Sequence, residues 1–164
     1  MVRDREAYAA LIEDLDLAIS HVGGQFDRNR AMTQRVGTDG VPDEVDVIAL
    51  GYTIHNYYNA SENYFLRIAK YFENNLDMAT WHRDLVNRMS VAVEGLRPSL
   101  LPRQALPHFH ELRAFRHVSR SLYDTPLDPE KVALANRHVP PAHEALQQGH
   151  LDFQETMRAI RDAL

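Results

Sequence analysis

The chain has 164 residues, 45% hydrophobic and 25% charged, enough to bury one core and better suited to a single domain over residues 1–164 than to two. It contains no cysteine, which excludes a disulfide framework and a thiolate zinc site. A formal charge of −5 argues against a general nucleic-acid coat, because such proteins neutralise many phosphates with excess Lys and Arg, but it leaves room for a local basic patch.

The opening residues, MVRDREAYAALIEDLDLAI, carry charges throughout and lack the continuous apolar run of a signal peptide or membrane span. The expectation is a cytoplasmic protein with no membrane association. From Asp4 to about Arg30, Tyr8, Leu11, Ile12, Leu15, Ile19, Val22 and Phe26 recur at three- and four-residue steps, which predicts one helix, with Gly23 and Gly24 loosening its end. The turn formers of GTDGVP, residues 37–42, follow.

Pro42, Asp43 and Glu44 suit a helix start, where a missing N–H costs nothing and negative charge meets the positive dipole end. The second helix is expected to run to Asn74 or Asn75, with Val47, Leu50, Ile54, Tyr57, Ser61, Phe65, Ile68 and Phe72 as a seam packed on neighbouring helices. A third helix after Asp77 would bury Trp81, Leu85, Met89 and Ala92 and close at Gly95 and Pro98. GLRPSLLPRQALP then reads as a loop.

The stretch ELRAFRHVSRSLYDTP, residues 111–126, reads as helix four, stopped by Tyr123-Asp124-Thr125-Pro126. Asp128 caps helix five with Pro129 at its first position, Val139-Pro140-Pro141 breaks or kinks it, and a final stretch from about Ala142 to Leu164 closes the structure. No strand pattern or Gly-rich phosphate loop interrupts this order. The fold class is therefore all-α, a four- to five-helix up-and-down bundle.

Wound at ~100° per residue, helix four separates Leu112, Phe115, Val118, Ser119 and Leu122 from Arg113, Arg116, His117, Arg120 and Tyr123. No acid interrupts the arginines before Asp124. Two readings stand: a solvated face whose arginines pair with carboxylates elsewhere, or an anion site where guanidinium forks hold phosphate and a histidine moves protons. His108 and His110 point ~200° apart on a helix, which argues against a metal site there, and no cofactor is expected.

The runs YTIHNYYNASENYFLRIAKYFENN (52–75), WHRDLVNRM (81–89) and LRAFRHVSRSLYDTPLDPEKV (112–132) resemble the HepT-like branch of the HEPN superfamily. The resemblance covers roughly residues 45–135. It implies a helical homodimer in which motif helices face a shared cleft, a metal-independent endoribonuclease toxin acting on RNA, and a minimal nucleotidyltransferase antitoxin as partner.

The family motif is Arg, four residues, His, one residue, Tyr. Here Arg116 takes the arginine place and Tyr123, the family's AMP acceptor, the tyrosine place, while Ser121 occupies the histidine place. A serine hydroxyl does not titrate near neutral pH, so it cannot do a histidine's proton transfer. His117 lies one turn earlier, about 40° around and ~6 Å along the axis, and is the alternative base. Arg113 and Arg120 would add phosphate contacts. Within helix two, His55, Asn56, Asn59, Glu62 and Asn63 also match the family pattern, and their expected role is to lock helix packing. A binding-only HEPN domain is the second functional reading, and Ser121 is the residue that favours it.

Overall fold

The computed structural model describes residues 4–38, 43–73, 81–120 and 126–164, with side chains for all of these except 38, 81–83 and 117–120. The helices are α1 (Arg5–Thr38), α2 (Glu44–Phe72), α3 (Trp81–Met89), α4 (Leu106–Arg120), α5 (Pro129–Asn136) and α6 (Val139–Ala163), with a 3-10 turn at Arg103–Ala105. The architecture is the all-α bundle that the sequence predicts. Among the described residues no helix is long and apolar enough to cross a membrane.

Helix starts follow their capping chemistry. Asp4 and Asp43 accept hydrogen bonds from the backbone N–H groups of Ala7 (2.9 Å) and Asp46 (2.8 Å), satisfying donors that have no partner within a first turn. Asp128 does the same for Glu130 at 2.9 Å, with Pro129 opening α5. The chain breaks at the Arg137–His138 turn, ahead of the prolines, so Pro140 and Pro141 open α6 rather than interrupt a helix.

The ends of α1 and α3 differ from the sequence reading. α1 continues through Gly23 and Gly24 to Thr38, eight residues past the expected end near Arg30. Each glycine costs a helix about 1 kcal/mol against alanine, but packing continues beyond them: Phe26 stacks on His143 at 3.9 Å, and buried Asn29 bonds Thr53 (3.0 Å) and Asn136 (2.8 Å). α3 ends at Met89, so Ala92 lies outside it and is exposed, while Leu85, Val86 and Met89 are buried and the Trp81 side chain lies outside the described residues. The expected stop of helix four at residues 123–125 also lies outside them.

The segment between α3 and α4 is ordered around one buried side chain. Arg97, with 1% of its side chain exposed, donates to Glu73 (2.7 Å) and to the carbonyls of Arg88 (3.0 Å), Val91 (2.9 Å) and Pro98 (3.2 Å). Burial would raise the Glu73 carboxyl, yet hydrogen bonds from Arg97 and Arg88 outweigh it and hold that carboxyl below its usual range. Leu100 and Leu101 donate their backbone N–H groups to the Met89 carbonyl. The returning strand of this loop presses so closely on α6 that a Cβ at Gly149 would lie 2.0 Å from the Leu100 carbonyl oxygen.

α2 is the central element, packed against α1, α3, α4 and α5, while α6 covers α1 and α4. All eight positions of its predicted seam are buried. Tyr57, Tyr64, Phe65, Phe109, Leu112, Leu146 and Phe153 join one continuous apolar core, each full burial of such a side chain contributing about 1.5–3 kcal/mol. Gly51 sets the approach of α4: a Cβ there would meet Leu127 Cδ1 at 3.0 Å and Phe115 at 3.6 Å.

Candidate functional site

The apolar face of α4 packs on α2, where Phe109 meets Phe65 and Phe115 approaches Gly51, and its arginines flank that contact. Phe109, Leu112 and Phe115 are at most 5% exposed, which turns Arg113 and Arg116, three residues apart, toward the flank of α2. There Arg116 Nη1 meets Glu62 Oε2 at 2.5 Å, with only 15% and 8% of the two side chains exposed. The acid missing from the local sequence of α4 is supplied by another helix.

Behind this pair lies Tyr58, fully buried, whose hydroxyl donates to Glu62 Oε1 at 3.5 Å. Burial pushes the Tyr58 phenol up, the charge of Glu62 adds to the shift, and Arg113 and Arg116 pull it back, so both guanidinium groups act on the same spot. Arg113 is half-buried, and among the described residues its buried Nε has no hydrogen-bond partner. Among the described residues, two guanidinium groups and one carboxylate act on Tyr58 here. Such a site can hold an anion with the strong, forked hydrogen bonds of arginine.

The other family-pattern residues of α2 divide. Glu62 locks α2 to α4, as the expected packing role requires. His55 and Asn59 instead bond each other within α2, Nε2 to Nδ2 at 2.8 Å, one turn apart, and both stay half-buried. Asn56 is half-buried beside them and Asn63 is exposed.

The remaining candidates of the motif helix are only partly described. The backbone of His117 and Arg120 belongs to α4, but their side chains lie outside the described residues, as do Ser121 and Tyr123. His108 and His110 diverge as their spacing predicts: His108 faces His138, and His110 Nε2 lies 2.8 Å from Asn87 Oδ1. Among the described residues no group of three or more His, Cys, Asp or Glu side chains could hold a metal ion.

Tyr58 escaped the sequence reading, since its position belongs to neither the predicted seam nor the arginine face. The tyrosine pair Tyr57-Tyr58 was the available signal: adjacent helix positions point ~100° apart, so two buried neighbours require two packed sides of α2.

The sequence model of HepT-like proteins matches residues 49–157, about two thirds of the chain, from the first turns of α2 to near the end of α6. The chain belongs to the HepT-like family of the HEPN superfamily. Comparison with curated proteins and with solved structures gave no match. The matched region contains the whole Arg113, Arg116, Glu62 and Tyr58 constellation, while all of α1 lies before it.

Proposed function

We propose that this HepT-like chain is the toxin component of a toxin–antitoxin system, a single cytoplasmic domain over residues 1–164 that acts on RNA as a homodimer and is countered by a minimal nucleotidyltransferase antitoxin. The observation that carries this reading is the Arg116–Glu62 pair with Arg113 acting on the same buried tyrosine, two guanidinium groups and one carboxylate among the described residues. Val45, Ile48 and Tyr52, 71%, 45% and 65% exposed at three- and four-residue steps on α2, form an apolar row that supports self-association.

In this reading Arg116 stabilises negative charge developing on the phosphate during attack by the ribose 2′-hydroxyl. Arg113 and Arg120 contact neighbouring phosphates, and Tyr123 accepts AMP from the antitoxin. The arginine contacts require no metal ion or cofactor, while the AMP on Tyr123 would come from ATP used by the antitoxin, with pyrophosphate as the leaving group. The proton transfer is the disputed step, because Ser121 stands at the histidine place and His117 is the nearest imidazole on α4.

Ser121 favours a second reading, a HEPN dimer that binds RNA, nucleotide or its partner without cutting. RNA cleavage in EDTA by the chain as it stands, by Ser121→His and by Arg116→Ala separates the two. Cleavage by the unaltered chain that Arg116→Ala abolishes supports the toxin nuclease, with His117 as base. Cleavage by Ser121→His alone supports the binding module. Cleavage by the unaltered chain that persists in Arg116→Ala removes the assigned role of this arginine.

A further inference from the structure

His108 lies in the first turn of α4 and His138 in the turn between α5 and α6, thirty positions apart in sequence. Folding brings their Nδ1 atoms to 2.9 Å, with the ring centroids 5.2 Å apart and the planes tilted by 49°. The centroid separation equals the nitrogen–nitrogen distance plus about one ring radius on each side, so the two nitrogens point at each other along nearly one line. A hydrogen bond has this shape, with donor angles above ~150°. Chelation would instead aim both lone pairs at one point off that line, ~2.0–2.1 Å from each nitrogen for zinc.

The arrangement is therefore built around a proton. A neutral pair satisfies it when one ring carries Nδ1–H and the other presents a lone pair, and a singly protonated pair does so with a stronger, charge-assisted bond. A doubly protonated pair turns two N–H groups and two positive charges on each other. We propose that His108 and His138 form a proton-operated clasp that fastens the first turn of α4 to the α5–α6 turn and releases it when both rings are protonated.

The surroundings offer the second proton no compensation at His108. Burial and then the charge of His138 hold the His108 imidazole below its ordinary range, and among the described residues no other charged group adds to the shift. Of the charged residues near the two histidines in sequence, Arg103 of the 3-10 turn, Glu111 on α4, Glu130 and Lys131 on α5, and Arg137 are exposed to solvent, and His143 on α6 is stacked on Phe26. The first turn of α4 contains no acidic residue of its own. For a histidine depressed in the folded state, the fastening is complete above the ordinary imidazole value of about 6.5 and is lost as pH falls through the lower folded value. Release loosens the start of the helix that carries Arg113 and Arg116 and so couples that face to acidification.

Amide hydrogen exchange over residues 106–111 of the full chain, at about pH 7.5 and about pH 5, tests the clasp alongside a nitrogen-15 titration of the imidazoles. After correction for intrinsic exchange, protection is expected to fall by about tenfold on acidification, the upper end for one lost ordinary hydrogen bond, and the rings are expected to titrate in coupled steps. His138→Asn, whose amide still donates to His108 but does not titrate, is expected to keep its protection at the lower pH. Unchanged protection in the unaltered chain, a matching loss in His138→Asn, or two rings titrating independently would overturn the proposal. The imidazole titration of the unaltered chain decides the question even where the variant fails to fold.

Discussion

α2 buries polar groups on two sides and handles them differently. Toward α1 and α6, Tyr64 bonds His150 Nδ1 at 2.9 Å, His150 Nε2 meets Asp16 at 3.2 Å, and Gln154 donates to Asp16 and to the Ile12 carbonyl, both at 2.9 Å. Burial keeps the Tyr64 phenol protonated, so it donates to Nδ1 and leaves Nε2–H to donate to Asp16. That side is a chain of mainly neutral donors and acceptors ending at a half-exposed carboxylate. Toward α4, by contrast, a nearly buried guanidinium faces a nearly buried carboxylate with a second arginine close by.

The two sides differ in how much charge they bury. Neutral networks satisfy buried atoms without leaving net charge, which suits a permanent joint between helices. A buried ion pair is a poor route to stability, since desolvation cancels much of its attraction.

Breaking each side in turn sharpens the contrast. The largest effect is expected from Glu62→Ala, which leaves Arg116 nearly buried without its carboxylate and should cost about 3–5 kcal/mol, read as a lowered denaturation midpoint. Replacing both partners by apolar residues of similar volume should restore most of that loss. A double variant no better than Glu62→Ala would show that Arg116 is held by something other than this pair.

On the α1–α6 side the expected signature is pH dependence. Burial holds His150 below the ordinary imidazole range, against the opposing charge and hydrogen bond of Asp16. Its contribution is therefore complete above about pH 6.5 and declines as pH falls toward the lower folded value, because the unfolded chain takes up the proton first. Urea midpoints across this range should decline less in His150→Gln than in the unaltered chain, and equal slopes would remove His150 from the account.

The smallest effect belongs to the surface. Arg67 and Asp14 pair across α1 and α2 with 44% and 43% of their side chains exposed, so Arg67→Ala should change stability by no more than about 1 kcal/mol, a shift that added salt should reduce further. A larger loss would mean that the arginine stem, rather than its charge, packs on the groove between these helices.

Periodicity carried most of the fold. The α2 seam, the Asp43 and Asp128 caps and the division of α4 into Leu112 and Phe115 against the arginines all follow from local spacing and from backbone groups that need partners near by in sequence. The same locality explains the misplaced ends. Gly23-Gly24 and Ala92 were judged on propensity and period, whereas contacts of Phe26 with α6 and of Asn29 with α2 and α5 extend α1, and the Arg97 knot takes over where α3 stops.

The sequence by itself determined an all-helical chain, an arginine-bearing face on its fourth helix and membership of the HepT-like family, because each is written in neighbours one to four residues apart or in contiguous motifs. Tertiary structure alone decided that Arg116 pairs with Glu62 across 54 positions, that Tyr58 stands behind them, and that His108 meets His138 rather than His110. Charges and hydrogen bonds act over a few ångströms of space, and only packing of the apolar faces determines which distant residues come within that reach.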